Sequence, residues 1–318
     1  MGETELLTVC SSPHMKSPVS TRNIMRDVII ALLPATIMGV VFFGTRALLV
    51  VLVSTLAAVL AEAIIEKATG RPLTIGDYSA AVAGLLLALV VPPTLPLWIA
   101  AVGAVVAIGV GKQVFGGLGN NPFNPALIGR AVLLASWPVF MTTWRWPVAQ
   151  VPGIPNFDAL TTATPLALLK LSGIKTPYSY LFWGNVAGSI GETSVPALLL
   201  GAAYLIYRGH ITLRIPGYFV GTVAVLAALM GRDPLFHVLA GGLILGAFFM
   251  ATDYVTTPVT PRAQAAFGIG CGVLTMLIRV FGGYPEGVCY AILIMNATTA
   301  ILDRAMQPRK FGEVKRGA

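Results

Sequence analysis

Residues 47–66 read ALLVVLVSTLAAVLAEAIIE, and these twenty residues decide the fold class. At the 1.5 Å rise of an α-helix they make a rod of about 30 Å, the thickness of a bilayer's hydrocarbon core. Comparable apolar runs recur along the chain with short polar breaks between them. They place spans near 28–44, 47–66, 78–92, 97–111, 125–141, 194–207, 215–231, 234–252, 264–281 and 284–302. The expectation is an all-α integral membrane protein of about ten transmembrane helices. The runs 78–92 and 97–111 are short for a full crossing, and Pro92-Pro93, Pro122 and Pro125 interrupt the pattern. Interrupted or re-entrant helices are tolerated in a bilayer only where the freed backbone groups face protein or a cavity.

Composition supports the bilayer as solvent. Of 318 residues, 56% are hydrophobic and 11% charged, with a mean hydropathy of +0.81. A soluble domain carries about 25% charged residues. The net charge of +8 is spread over loops and tails without a basic stripe, so nucleic acid is not an expected partner. Cys10, Cys271 and Cys289 are far apart and form no CxxC pair, which argues against a self-contained iron–sulfur or zinc site. Cys271 and Cys289 lie in apolar runs and read as packing residues. The first 25 residues hold no apolar core of signal-peptide length, so the first span is expected to direct insertion itself.

Ten spans put both termini on one side. With the N-terminus inside, inside segments carry 14 Lys and Arg and outside segments 5, which places both termini in the cytoplasm. The expected organisation is a tail at 1–26, a membrane half at 27–141, an extracytoplasmic connection at 142–193, a second half at 194–303 and a tail at 304–318. A five-plus-five split is the layout of an inverted repeat, each half having a Pro-rich polar break, at Asn120–Pro125 and Asp253–Pro261. A ten-span bundle with a long middle loop fits the same pattern.

The central connection contains Asp158-Ala159-Leu160-Thr161-Thr162-Ala163-Thr164-Pro165-Leu166. Pro165 suits the first turn of a helix that continues to Leu171, and Thr164 is then its N-cap. A phosphate on that hydroxyl would meet the positive end of the helix dipole. An unmodified Thr capping a surface helix is the plainer alternative. Inside the apolar segments, Arg130 and Asp253 are costly charges. Asn121 and Asn124 flank prolines at a helix break, where small molecules or ions bind in such folds, although capping the broken helix explains them equally. Asp253, followed by Thr256 and Thr257, is the best acid for Na⁺ or H⁺, against a simple helix-end cap. Glu286 is expected at a membrane edge in a structural role. Trp137, Trp144 and Trp146 are placed as an interface belt. His14, His210 and His237 form no heme pair.

The pattern Asp158-x-x-Thr161-x-Ala163-Thr164 resembles the signal read by ApbE-type flavin transferases, which attach FMN through its phosphate to the last Thr. The chain at large resembles the D subunits of Rnf complexes and, more distantly, the B subunit of the sodium-pumping NADH:quinone oxidoreductase. The likeness includes Ser11-Ser12-Pro13-His14, Asn121-Pro122-Phe123-Asn124-Pro125-Ala126, Ala251-Thr252-Asp253 and the run from Phe281 to Val288. It departs at Thr161-Thr162, where many members have Ser-Gly or Ser-Met.

The resemblance implies a covalent FMN on Thr164, with Asp158, Thr161, Thr162 and Ala163 as its recognition residues. It also implies a second, non-covalent riboflavin within the bundle, for which, or for the nearby FMN, Asn121, Asn124 and Arg130 are the candidate lining. It implies a multi-pass subunit of a bacterial inner-membrane translocase, with other Rnf subunits as partners. That complex would couple ferredoxin oxidation and NAD⁺ reduction to Na⁺ or H⁺ movement, without a complete active site in this chain. The absence of a G-x-G-x-x-G strand–helix unit argues against NAD binding here. The alternative is a urea-channel-like solute channel, an architecture the redox family is thought to share; a channel has no need of the Asp158–Thr164 motif.

Overall fold

The computed structural model describes residues 20–147, 162–283 and 286–307. Cys10, His14, Asp158 and Thr161 therefore lie outside the described residues, as does the Ser11–His14 stretch. Fourteen α-helical segments occur among the described residues. The first membrane half holds α1 (Thr21–Phe43), α2 (Thr45–Ala68), α3 (Ser79–Leu89), α4 (Leu97–Gly109), α5 (Pro125–Ser136) and the short α6 (Pro138–Thr142). The connection holds α7 (Pro165–Ser172) and α8 (Tyr178–Trp183). The second half holds α9 (Val195–Tyr207), α10 (Arg214–Leu229), α11 (Pro234–Leu239), α12 (Leu243–Leu245), α13 (Pro261–Phe281) and α14 (Val288–Ala305). A π-helical turn, Gly246–Met250, extends α12.

Five helices are long and apolar enough to cross a membrane: Thr21–Phe43, Thr45–Ala68, Leu97–Phe115, Pro261–Phe281 and Val288–Ala305. Four shorter apolar helices accompany them, α3, α5, α9 and α10. The chain is thus an all-α, multi-pass membrane protein. Its two halves repeat one packing order: α2 lies on α4 as α10 lies on α13, and α4 on α5 as α13 on α14. The halves meet where α1 packs on α9 and α5 on α14.

The expected span 234–252 is not one helix. It stops at Ala240 and restarts at Leu243, because Gly241 and Gly242 both take left-handed backbone, with φ of 70° and 67°. The carbonyls freed there are met by Arg279 of α13, which donates to Ala240 O at 2.8 Å, to Gly241 O at 3.4 Å and also to His237 O. Pro138 ends the expected span 125–141 early, since it brings no N–H and starts α6 in a new direction. The last span begins at Val288 rather than 284.

The end of α3 organises the middle of the molecule. Pro92 and Pro93 cannot continue the helix, so the carbonyls of Leu89, Val90 and Val91 need donors from elsewhere. Gly191 N donates to Leu89 O at 2.8 Å, Ile190 N to Val91 O at 3.2 Å, and Arg130 of α5 to Val90 O. The connection is therefore not simply a surface loop: residues 184–195 are buried, with Glu192 half-buried.

Close approach of α1 and α9 depends on Gly201, where an added Cβ would overlap the carbonyl oxygen of Ala31. We expect Gly201→Ala to destabilise the protein by about 1–3 kcal/mol, the usual cost of overpacking, and Gly201→Leu to prevent accumulation of folded chain. Thermal unfolding in detergent measures the first and the yield of monodisperse protein the second.

Candidate functional site

The helix foreseen at Pro165 is present as α7. Thr164 is its N-cap, with extended backbone at φ −63° and ψ 157°, and its Oγ accepts from Ala167 N at 3.3 Å. The helix is pinned on three sides. Leu166 packs with Leu181, Val186, Phe236 and Ala240. Thr162 N donates to Trp144 O at 3.2 Å in an isolated antiparallel bridge. Lys170 donates to Arg279 O at 3.2 Å and to Gly282 O, satisfying carbonyls at the end of α13.

This pinning sets Thr164, 5% exposed, in the wall of a cavity of about 860 Å³. Thr162, Ala163, Arg130, Lys170 and Glu286 line the same cavity. Arg130 is ion-paired with Glu286 while it caps Val90, so first-half and second-half residues join at this wall. Burial pushes the Glu286 carboxyl up to about 7; the like charge of Glu192 adds to this and Arg130 opposes it. A helix N-terminus with two cations, aromatic and apolar walls and an acid is suited to a flat ligand with an anionic end.

Glu286, expected at a membrane edge, is part of the cavity wall. One expectation is corrected here. Trp144 is not an interface anchor; it is 7% exposed and lines the cavity, positioned by its bridge to Thr162. Trp137 stacks edge-on against Trp98 at 5.4 Å. Cys289 also borders the cavity, whereas Cys271 is core packing at 0% exposure.

Asn121 and Asn124 do not share this cavity with Arg130. They line a second, smaller one of about 80 Å³ with Ser79, Lys112, His210 and Asp253. Asn124 caps α5, its Oδ1 accepting from Ala126 N at 3.0 Å and Leu127 N at 3.4 Å, and its Nδ2 donates to Met250 O at 3.5 Å. Asn121 Nδ2 donates to Phe123 O at 3.1 Å, while its buried Oδ1 has no partner among the described residues. Thr256 Oγ donates to the Asp253 carboxylate at 3.3 Å and Thr257 Oγ to its carbonyl at 2.7 Å. Both hydroxyls thus serve the helix-end turn. His237 is buried, and among the described residues neither ring nitrogen has a hydrogen-bond partner.

The sequence reading missed a buried ion pair beside the second cavity. Lys112 pairs with Glu62 of α2 and touches Ser79, and Gln113 Nε2 donates to the same Glu62 oxygen at 3.0 Å. Lys112 counted there as a loop charge, and Glu62 lay unremarked within the span 47–66. It missed a second cluster too, where Asp27 of α1 accepts from Arg208 at 2.9 Å and meets His210 Nε2 at 2.8 Å. The signal for the first was Glu62 within an apolar run; Asp27 follows Arg26 at the polar start of α1 and gave none.

The fold and site define a class: a multi-pass membrane protein of two similarly packed halves, with a helix-capping Thr facing an internal cavity. A family model described as "NQR2, RnfD, RnfE family" matches residues 8–312, and the chain belongs to that family. It is 49% identical over 313 residues to the D subunit of a Na⁺-translocating ferredoxin:NAD⁺ oxidoreductase complex from Acetobacterium woodii, covering 97% of this chain and 96% of the relative. It is 48% identical over 324 residues to the D subunit of a proton-translocating ferredoxin:NAD⁺ oxidoreductase complex from Clostridium ljungdahlii, covering 96% of each. The D subunit of an ion-translocating oxidoreductase complex from Halorhodospira halophila is 39% identical over 343 residues, with 97% and 96% covered.

Removing one member of a buried ion pair strands the other charge, so Lys112→Met is expected to cost about 3–5 kcal/mol. The double change Lys112→Met with Glu62→Leu should recover most of that loss. Unfolding of wild type and the two variants in detergent checks this, and equal losses in the single and double variants would contradict it.

Proposed function

We propose that this chain is the D-type membrane subunit of an ion-translocating ferredoxin:NAD⁺ oxidoreductase complex and carries FMN through a phosphoester on Thr164. The observation that carries the reading is Thr164 at the N-terminus of α7, in the wall of a cavity of about 860 Å³. The residues present fit such a group. Cavity size lies within the usual range for cofactor sites, roughly 300–1,000 Å³. Trp144, Leu127 and Leu134 offer flat and apolar walls. The helix dipole favours a phosphate at Thr164. Esterified, the Thr oxygen keeps a lone pair for Ala167 N–H, so modification and capping are compatible. FMN would supply the exchange between two-electron and one-electron steps; the protein's part is to hold, orient and shield it.

The unpartnered Asn121 Oδ1, with Asn124 and Lys112 beside it, supports placing the second, non-covalent flavin between the halves. At about 80 Å³ that cavity would have to widen around Leu118, Phe249 and Tyr254 to take a tricyclic ring. Asp253 beside it is our candidate for coupling to Na⁺ or H⁺. The relatives named for the two ions are 49% and 48% identical to this chain, so overall likeness does not set the ion. The charge count supports cytoplasmic termini in an inner membrane, which puts the connection 142–193 on the outer side, the side expected for an ApbE-type transferase. The buried stretch 184–195 between the halves speaks against an open solute pore.

The test is intact mass of the denatured full chain made together with its transferase. Wild type should carry one added FMN mass and Thr164→Ala none. A wild-type chain without the added mass overturns the reading.

A further inference from the structure

We propose that Glu286 exchanges a proton with the ring held in the Thr164 cavity and that Arg130 positions it for that exchange; the inference rests on the flavin reading above. Glu286 stands in the connection between α13 and α14, on the cavity wall, outside both spans. Its side chain is 16% exposed and that of Arg130 is 9% exposed. The Arg130 guanidinium is not free to swing, because it also donates to Val90 O at the end of α3. One carboxylate oxygen of Glu286 is therefore held by a fixed donor.

The charges around Glu286 come from every element packed there. Arg130 is on α5, Glu192 on the buried connection, Arg279 on α13, Lys170 on α7 and the Cys289 thiol on α14. Arg279 is used by the carbonyls of His237, Ala240 and Gly241, and Lys170 by those of Arg279 and Gly282. Among the described residues, Arg130 makes the ion pair recorded for Glu286. Glu192 adds a second carboxyl to the same wall, its Oε1 accepting from Ser189 N at 3.0 Å. Burial favours the neutral acid at Glu286 and the second carboxyl at Glu192 adds to it, against the attraction of Arg130 and Arg279.

The exchange balances simply. Protonated Glu286 loses its O–H bond as an N–H bond forms on the ring, while an electron arrives from a reduced electron-carrying protein of the complex, which is thereby oxidised. Glu286 is left as a carboxylate against Arg130. When the electron leaves, the proton returns to Glu286. A group with a pKa near the working pH suits such a task.

The experiment uses the full chain made with its transferase and titrates the flavin potential spectroelectrochemically on both sides of neutral pH. Wild type should show a change of slope near pH 7, Glu286→Gln should lose it, and Glu286→Asp should keep one, displaced. Should Glu286→Gln not accumulate, Arg130→Lys reads the same group, and its break should move to higher pH as the carboxylate loses its fixed donor. A second readout needs no flavin: in Thr164→Ala protein, a protonated-carboxyl infrared band should titrate, and it should vanish when Glu286→Gln is added. A flavin-bearing chain whose Glu286→Gln variant keeps the wild-type pH dependence, or whose Arg130→Lys variant leaves the break in place, overturns the role of Glu286 alone. Wild type without added FMN mass overturns both readings.

Discussion

Three carbonyl groups at the end of α3 constrain much of this molecule. In a bilayer core an unpaired carbonyl costs several kcal/mol, and Pro92-Pro93 rules out the helical solution. Leu89 and Val91 are met by backbone N–H groups about a hundred residues away in sequence, at Gly191 and Ile190, and Val90 by Arg130. To deliver those two N–H groups the connection must run through the interior. Upstream of it, α7 contributes Thr164, Ala167 and Lys170 to the wall of the large cavity.

The same logic explains the buried charges. Arg279 serves three carbonyls at the Ala240–Gly242 break, as Arg130 serves one at the α3 break. Guanidinium suits this work because it offers five donors in a fixed fork and stays ionised. Each such Arg also brings a charge that must be balanced. Glu286 balances Arg130 across the boundary between halves, and Asp27 of α1 balances Arg208 at the start of the α9–α10 link. Such pairs add little net stability compared with apolar packing, but they hold particular elements in register. Here the elements so held are those that line the cavities.

Much of this was legible in the sequence, and the failures have physical causes. Hydropathy found the spans because apolar runs of bilayer length have few other uses, and Pro165 after Thr164 announced α7. The span 234–252 misled because Leu, Val and Phe on both sides of Gly241-Gly242 keep mean hydropathy high while the glycines turn the chain. Lys112 looked like a loop cation, since nothing local reveals that Glu62, fifty positions earlier, lies beside it. Glu286 follows a short polar turn and reads as an edge residue until the partner on α5 is known. Pairings between distant segments leave no periodicity to detect, so ion pairs and cavity walls were the least readable features.

Asn121, Asn124 and Arg130 were grouped because they are close in sequence, and the structure separates them along α5. From Asn124 to Arg130 the helix rises about 9 Å, six residues at 1.5 Å each. That brings one end of the helix to the small cavity and its middle to the large one. The other half of the partition is the π-helical turn, whose Phe249 borders the small cavity while Gly246 and Met250 border the large one. Asn124 ties the two together by donating to Met250 O. A π-turn is less stable than the α-helix it replaces and persists mainly where its altered backbone is used. Here it lies between two cavities, each lined by residues of both halves of the protein.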